Sequence, residues 1–271
     1  MFKFFLKKNF ADGWDNLFFL ILSNVITIAL IAACGFAVFA AGKISGLAAS
    51  IAFVLASGIV SIAVFAWGAN AAKIADFRAA SFSAFFGAIK HVLGIGFAFG
   101  ALLALFLLVV RFGISYYLAD YLKNGSKVSL LFTAVLAWFT VVCVIALQWF
   151  VPLYYLQDSN GFSKCLKKSF IIFFDNAGFS VGIFFYNIFL FAFTCLTVGL
   201  IPGLNGITLS CMNALRLRLY KYDWIEKMSA ADPDFINNRD KRSEVPWDEL
   251  LAGDKESLGP RKLSSFIFPW K

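Results

Sequence analysis

The chain has 271 residues, of which 61% are hydrophobic and 34 are phenylalanine, a higher share than ordinary soluble domains carry. Its 24 Lys and Arg outnumber its 16 Asp and Glu, but these cations are dispersed between apolar segments. Because a nucleic-acid interface needs a continuous basic patch, we expect no nucleic-acid partner. The composition indicates an integral protein of the lipid bilayer.

Six segments are candidate membrane spans, because a helix needs about 20 apolar residues to cross the hydrocarbon core. The sixth, Pro202 to Leu219, is the shortest; proline suits its first position, and Arg216 and Arg218 near its end can extend to the interface. The sequence therefore predicts an all-α bundle of six transmembrane helices, with a re-entrant last hairpin as the alternative. The other spans are predicted at about residues 17–41, 46–72, 92–110, 129–147 and 179–198.

The positive charges predict which side of the membrane each loop faces, because Lys and Arg of short loops are retained in the cytoplasm. With six spans both termini lie on one side, and that side carries 20 of the 24 Lys and Arg. We therefore expect a multi-pass protein of a bacterial-type inner membrane with both termini cytoplasmic. The opposite side carries Lys43, Arg111, Lys123 and Lys127.

The chain matches itself at two offsets, 82 and 160 residues, and such matches indicate duplicated units. The first offset aligns Trp67 with Trp149, and the second aligns the Lys-Lys and Asp-Asn pairs of two lead-in segments. Each predicted unit is an amphipathic lead-in helix followed by a transmembrane hairpin, and all three run in the same direction. This favours a pseudo-threefold axis along the membrane normal over inverted halves. The units cover about residues 5–72, 76–156 and 158–222.

Two lead-in segments combine lysines with aromatic residues, as is typical of helices that lie in the membrane interface. Each ends in an Asp-Asn pair at the start of a span, where the side chains can accept hydrogen bonds from the first helical turn. Capping and anchoring is the preferred interpretation, and a site for an anion or lipid headgroup is the alternative. The candidate residues are Lys7, Lys8, Asp15, Asn16, Lys167, Lys168, Asp175 and Asn176.

No ionisable residue lies in the middle of a predicted span, and the only histidine, His91, lies where the third span begins. Since such residues mark proton and ion pathways in membranes, the sequence disfavours a proton-coupled pump and a carboxylate cation site. We interpret the remaining polar residues as hydrogen-bonding contacts between helices, with a pathway for a neutral solute as the alternative. These residues are Asn24, Asn70, Gln148, Asn187, Asn205 and Asn213.

The sequence offers no catalytic, cofactor-binding or metal-binding residues. Its five cysteines lack any metal-ligand spacing, and it has neither a phosphate-binding glycine loop nor a GxSxG motif. We therefore expect no cofactor and no enzyme. A lipid-modifying enzyme that uses Lys, Asp and Asn at the cytoplasmic rim is the minor alternative.

Residues 223–271 form a predicted polar cytoplasmic tail beyond a transmembrane domain of residues 1–222, because they contain too few apolar residues for a core. Trp247 to Leu251 fit one or two helical turns. We expect the tail to fold back on the cytoplasmic face of the protein. Its end, Phe266 to Trp270, is an aromatic cluster suited to the membrane surface or to a partner.

Four short patterns flank the spans: Trp14-x-Asn16, Phe85-Phe86-x-x-Ile89-Lys90, Leu166-Lys167-Lys168-x-Phe170 and Arg216-x-Arg218-x-Tyr220. With them, residues 5 to 222 resemble YesL-type bacterial membrane proteins and the membrane domains fused to some glycerophosphodiester phosphodiesterases, although no phosphodiesterase domain is present. YesL-type members often lie near carbohydrate-transporter genes, so the resemblance implies an accessory role.

These features favour a non-enzymatic membrane scaffold or transport-associated accessory subunit, which contacts a membrane-protein partner through its spans or its tail. The alternative is a channel or facilitator for a small neutral solute or a lipid.

Overall fold

The computed structural model describes residues 1–232, 235 and 244–261, and these residues form eleven helices and no strand. The all-α prediction is confirmed for this part of the chain, whereas the aromatic cluster 266–270 lies outside it. The helices are α1 Phe2–Asp15, α2 Leu17–Gly42, α3 Gly46–Ala75, α4 Phe82–Asn124, α5 Lys127–Leu147, α6 Phe150–Leu156, α7 Phe162–Asp175, α8 Ala177–Leu196, α9 Gly203–Ala231, α10 Trp247–Leu250 and α11 Ala252–Leu258.

Five helical stretches of the described chain are long and apolar enough to cross a membrane, as a multi-pass membrane protein requires. They contain the first four predicted spans and all but the last two residues of the fifth. The sixth predicted span lies in α9, which is not among the five, so the six-span bundle stays a prediction. The five stretches are Leu17–Gly42, Gly46–Ala75, Phe82–Asn124, Lys127–Leu156 and Ala177–Leu196.

Helix α9 lies at the centre of the bundle and packs against α1, α2, α3, α6 and α8. Nearly every residue from Gly203 to Leu217 is buried. A helix surrounded by other helices contacts protein instead of lipid, so neighbouring side chains can pair with its polar groups. This position explains why the least apolar of the predicted spans is also the most buried.

Helices α3 and α4 pack closely along one another, and α4 carries glycines where they meet. A Cβ at Gly100 would lie 2.2 Å from the carbonyl oxygen of Ser57, and a Cβ at Gly96 would lie 3.0 Å from the Cα of Ile62. Such distances leave no room for a side chain, because the nearest atoms belong to the backbone of α3. Small residues at these positions bring the two helices together.

We expect Gly100→Ala to lower the free energy of unfolding by about 1 to 3 kcal/mol, because the new methyl group overpacks the α3–α4 contact. Gly94→Ala is the matched control, since a Cβ at Gly94 on the same helix meets no atom within 4 Å. Alanine favours a helix over glycine, so this control should be neutral or stabilising. Thermal unfolding in detergent distinguishes the two, and equal stability of both variants would contradict the close packing.

Helices α1 and α7 correspond in length and in their ends. Each has 14 residues, ends at an aspartate and is followed by an asparagine before the next long helix begins. In the middle of the chain, by contrast, the predicted lead-in and span are fused into α4, which runs without a break for 43 residues. Three equivalent units therefore stay a prediction.

Three turns lie at the end of the bundle opposite α1, and they join α2 to α3, α4 to α5 and α8 to α9. They reach different heights along the bundle. The α8–α9 turn packs against α2 at Asn24 and Ile28. Since α2 ends at Gly42, it continues about 20 Å beyond that turn at a rise of roughly 1.5 Å per residue. Gly100 lies against Ser57, so α4 in turn extends about 20 Å beyond the start of α3. Three such turns cannot share one membrane surface when their helices run along the membrane normal.

The composition changes near residue 223, but the secondary structure does not. Helix α9 continues to Ala231, so the predicted boundary between residues 1–222 and 223–271 lies inside a helix. Trp247–Leu250 form α10, as the sequence predicts, and α11 follows it directly. We call the end of the bundle formed by α1, the turn between α3 and α4, α10 and α11 the basal face.

Candidate functional site

Asn24, in α2, holds the α8–α9 turn through its side-chain amide. Its Nδ2 donates to the carbonyl oxygens of Leu200 at 2.9 Å and Pro202 at 2.7 Å, and its Oδ1 accepts from the backbone N–H of Asn205 at 3.2 Å. Gly203 in this turn has a φ of 69°, and a Cβ there would overlap the Asn24 amide. The amide and the turn therefore fit together as one unit.

Asn205 and Asn187 connect α9 to α2 and α8. Asn205 Nδ2 donates to Ser23 Oγ at 2.9 Å and to Thr27 Oγ1 at 3.3 Å. Asn187 Oδ1 accepts from Ser210 Oγ at 2.7 Å. These contacts use polar atoms on facing helices, so they stabilise the position of α9 within the bundle.

Asn213 starts a chain of hydrogen bonds that crosses three helices. Its Nδ2 donates to Asn9 Oδ1 at 3.2 Å, and Asn9 Nδ2 donates to the hydroxyl of Tyr186 at 3.0 Å. The chain joins α9 to α1 and α8. Asn9 was not among the candidates from the sequence, because a polar residue in an amphipathic lead-in gives no signal of burial.

The other two candidate amides bind backbone atoms. Asn70 pairs with Ser81 at the start of α4, donating to its carbonyl at 3.1 Å and accepting from its N–H at 3.0 Å. Gln148 Nε2 donates to the carbonyls of Ile145 at 2.8 Å and Ser180 at 3.0 Å. All six candidate amides thus bind other protein groups, while Gln148 Oε1, Asn205 Oδ1 and Asn213 Oδ1 are buried without a hydrogen-bond partner among the described residues.

Lys8 and Asp12 form a buried ion pair in α1, with 2.8 Å between Nζ and Oδ2. Lys8 is 0% exposed, and its Nζ lies 3.7 Å from the ring centre of Phe77. Phe77 has a φ of 55°, a left-handed conformation that is unusual for a bulky residue and brings its ring against the cation. Burial lowers the pKa of Lys8 and raises the pKa of Asp12, while their mutual attraction opposes both shifts.

The expectation that Lys8 reaches lipid headgroups is therefore wrong, whereas Lys7 beside it is exposed. The i, i+4 spacing of Lys8 and Asp12 is a visible signal of such a pair, but it does not reveal burial. Lys167 of α7 is also exposed. Lys168 donates to Gln157 Oε1 at 2.8 Å and to Asn160 Oδ1 at 2.9 Å, so protein atoms bind its ammonium group.

Asn16 and Asn176 occupy the N-cap positions of α2 and α8, but neither side chain accepts a hydrogen bond from the first turn, so the expected capping hydrogen bonds do not form. Asn16 Nδ2 instead donates backwards to the carbonyl of Asp12 at 2.9 Å. Asn176 Oδ1 accepts from the guanidinium of Arg218. The Nδ2 atoms of both asparagines thus donate to carbonyls of the preceding helix, those of Asp12 and Ile172.

The two aspartates of these pairs contact the C-terminal part of the chain. Asp15 forms an ion pair with Arg261. Asp175 Oδ2 accepts from the hydroxyl of Tyr222 at 2.6 Å. A lipid headgroup that binds at these two aspartates would therefore share them with Arg261 and Tyr222.

Arg216 connects α9 to α11. Its Nη1 donates to Asp254 Oδ2 at 2.6 Å, its Nη2 donates to Asp76 Oδ1 at 3.3 Å, and the hydroxyl of Tyr220 donates to Asp254 Oδ1 at 3.1 Å. Arg216 therefore pairs with carboxylates instead of extending towards lipid. The expected folding back of the tail onto the protein is confirmed for α11.

We expect Asp254→Ala to release α10 and α11 from the basal face, because charge-assisted hydrogen bonds contribute roughly 1.5 to 3 kcal/mol each. Limited proteolysis after residue 244 measures this release as faster cleavage. Asp248→Ala is the matched control: Asp248 is fully exposed and pairs with Lys255 inside the same segment. Cleavage at the same rate in both variants would show that Asp254 does not hold the segment.

An apolar groove of about 510 Å³ lies between α2 and α8, with α9 as its floor and α1 across its basal end. No sequence pattern predicts this groove, because it forms only where helices distant in sequence meet. Its polar lining residues, Asn9, Tyr186 and Thr197, have hydrogen-bond partners in the protein. The groove is thus suited to an apolar ligand.

No group of three His, Cys, Asp or Glu within the described residues has the geometry of a metal site. Comparisons of the chain with known protein families, curated proteins and solved structures find no match. The YesL-type relationship therefore stays a proposal that rests on residue patterns alone.

Proposed function

We propose that the protein is a non-enzymatic membrane scaffold or an accessory subunit of a transport assembly. The observation that carries this proposal is that the interior amide side chains form hydrogen bonds with other parts of the protein. All six candidates bind protein atoms, and Asn24, Asn187 and Asn205 bind groups on other helices around α9. The amide nitrogens of all six side chains are engaged in this way, so they stabilise a packed bundle and are not free to bind a passing solute.

The proposed architecture is a bacterial inner-membrane bundle of three pseudo-repeated units with both termini in the cytoplasm. It is supported by the 20 of 24 Lys and Arg that fall on one predicted side and by the matching bounds of α1 and α7. The short reach of the α8–α9 turn along α2 favours the re-entrant form of the last hairpin over a sixth complete span.

Single cysteines placed in a background without Cys34 and Cys195 test this topology on intact cells. A membrane-impermeant maleimide should label Ser45→Cys and Ser126→Cys but not Ser163→Cys, which lies on the proposed cytoplasmic side. Val198→Cys distinguishes the two forms of the last hairpin: labelling from outside indicates a sixth span, and protection indicates re-entry. Labelling of Ser163→Cys from outside would overturn the proposed orientation.

The scaffold proposal predicts a stoichiometric protein partner after purification in mild detergent or native nanodiscs. Mass spectrometry of the co-purifying proteins identifies that partner. Truncation after Asp232 removes α10 and α11 but keeps α9, so it tests whether the tail contributes to the contact. Purification of the intact protein without any partner would contradict the proposal.

A second candidate function is a facilitator for lipid, and the groove between α2 and α8 favours it. Its apolar lining matches a hydrocarbon chain better than a small polar solute. Transfer of fluorescent lipid between the leaflets of reconstituted vesicles tests this candidate. A rate equal to that of protein-free vesicles would exclude it.

A further inference from the structure

The groove between α2 and α8 has the size and lining of a ligand site. Its volume of about 510 Å³ lies within the range of roughly 300 to 1,000 Å³ that is usual for small-molecule sites. Phe10 and Trp14 of α1, Leu20 of α2, Phe189 of α8 and Leu209 of α9 line it. Four helices therefore supply one apolar surface.

The groove is continuous with the outer apolar surface of the bundle. Phe189 and Phe193 both line it, and they are 65% and 45% exposed. Both residues lie in α8, and α2 and α8 are two of the helices apolar enough to cross a membrane. The phase next to the open side is thus the hydrocarbon of the bilayer, so a lipid chain can enter without displacing a helix.

Positive charge lies beside the basal end of the groove. Lys3, Lys7, Phe10 and Trp14 follow the i, i+4, i+7, i+11 spacing of one helix face, and all four are exposed to some degree. The rings of Phe10 and Trp14 stack with their centres 6.0 Å apart on this face. The same face of α1 therefore presents aromatic rings to the groove and, within one or two turns, two ammonium groups.

We propose that this groove binds one hydrocarbon chain of an anionic phospholipid, whose phosphate lies against Lys3 and Lys7. The apolar lining matches the chain, and the two cations match the phosphate at the depth where an interfacial helix lies. This site goes beyond the scaffold function and does not depend on it, because a bound lipid can equally belong to a structural subunit.

Gly13→Leu tests the site without disturbing the fold. Gly13 lines the groove, and a Cβ there meets no atom within 4 Å, so leucine projects into open space. Gly87→Leu is the matched control, since Gly87 lies in α4 away from the groove and its Cβ also meets nothing. Leucine favours a helix at both positions, and matching thermal unfolding of the two variants verifies that both fold.

Native mass spectrometry of the full chain, titrated with palmitoyl-oleoyl phosphatidylglycerol or phosphatidylcholine, measures the binding. The wild-type protein and Gly87→Leu should retain one phosphatidylglycerol each. Gly13→Leu should bind it at least about ten-fold more weakly, because the leucine occupies the space of the chain.

The double variant Lys3→Gln/Lys7→Gln tests how much the contact between the lipid phosphate and these two lysines contributes to binding. The affinity for phosphatidylglycerol should fall about five-fold for each lysine removed, while the affinity for phosphatidylcholine stays the same. Lys164→Gln/Lys167→Gln removes two cations from α7 as the matched control and should keep the preference for the anionic lipid.

Two results would overturn the proposal. The first is equal retention of phosphatidylglycerol by Gly13→Leu and the wild-type protein. The second is lipid binding that occurs only after residues 262–271 are deleted. Because Arg261 pairs with Asp15 next to Trp14, this second result would assign the groove to the end of the chain itself.

Discussion

Replacing Asp12 with alanine is expected to lower the free energy of unfolding by about 3 to 5 kcal/mol, since Lys8 then loses the partner of its buried charge. Lys8 is fully buried beside Phe77, so water cannot take the place of the carboxylate. Thermal or denaturant unfolding in a mild detergent measures the loss. Lys7→Ala, next in sequence but exposed, should change stability by no more than about 0.5 kcal/mol.

The pH dependence of Asp12→Ala provides a second readout. Burial lowers the pKa of Lys8 in the folded protein, and removal of Asp12 takes away the main effect that raises it. The unfolded chain then binds more protons than the folded chain at alkaline pH, so stability should increase as the pH rises towards the pKa of unfolded lysine, about 10.4. If the stability of Asp12→Ala falls over this pH range, Lys8 is not the buried lysine with a lowered pKa that the structure indicates.

The double variant Lys8→Met/Asp12→Leu separates the charge from the packing. Both replacements are apolar and similar in size to the originals, and exchanging a whole buried ion pair is often neutral or stabilising. The double variant should therefore be more stable than Asp12→Ala alone. If the double variant and Asp12→Ala have the same unfolding temperature, the loss of stability comes from packing and not from an unpaired charge.

Asn24→Leu is expected to have the second large effect, a loss of about 2 to 4 kcal/mol in the free energy of unfolding, because two carbonyls of the α8–α9 turn and one N–H at the start of α9 lose their partner. Leucine also cannot reproduce the flat amide that fits against Gly203. Hydrogen exchange across residues 196 to 203 should increase more than exchange elsewhere in the bundle.

Asn124→Leu is the matched control for Asn24→Leu. Asn124 lies exposed at the end of α4 and donates to Asp120 Oδ1 at 2.7 Å. Since water can replace this bond, its loss should cost no more than about 0.5 kcal/mol. Equal effects of the two substitutions would mean that the buried amide does not hold the turn.

Hydropathy alone located the five long apolar helices that are candidate membrane spans. A run of about 20 apolar residues has few alternatives to a membrane helix, because every backbone group must pair within the segment. The same argument fails for α9. Its residues are less apolar because protein surrounds them, so a scale that assumes contact with lipid ranks the central helix last.

The candidate site also combines features that the sequence predicts with features that it does not. The sequence pointed to Asn24, Asn187 and Asn205 as interior polar residues, since an amide inside an apolar run needs a partner. It did not indicate which groups they bind, because Ser23, Thr27 and Ser210 come from other helices or other turns. Lys8 and Lys7 have the same chemistry, and only the packing of α1 decides which one is buried.

By itself, the sequence determined the all-α class of the described residues, the long apolar helices and the helix break at each Asp-Asn pair, because these depend on local periodicity and hydrophobicity. Tertiary structure decided that α9 is central, that Lys8 pairs with Asp12 below Phe77, and that α2 and α8 leave a groove between them. These features depend on contacts between residues far apart in the chain, whose distances no local pattern encodes.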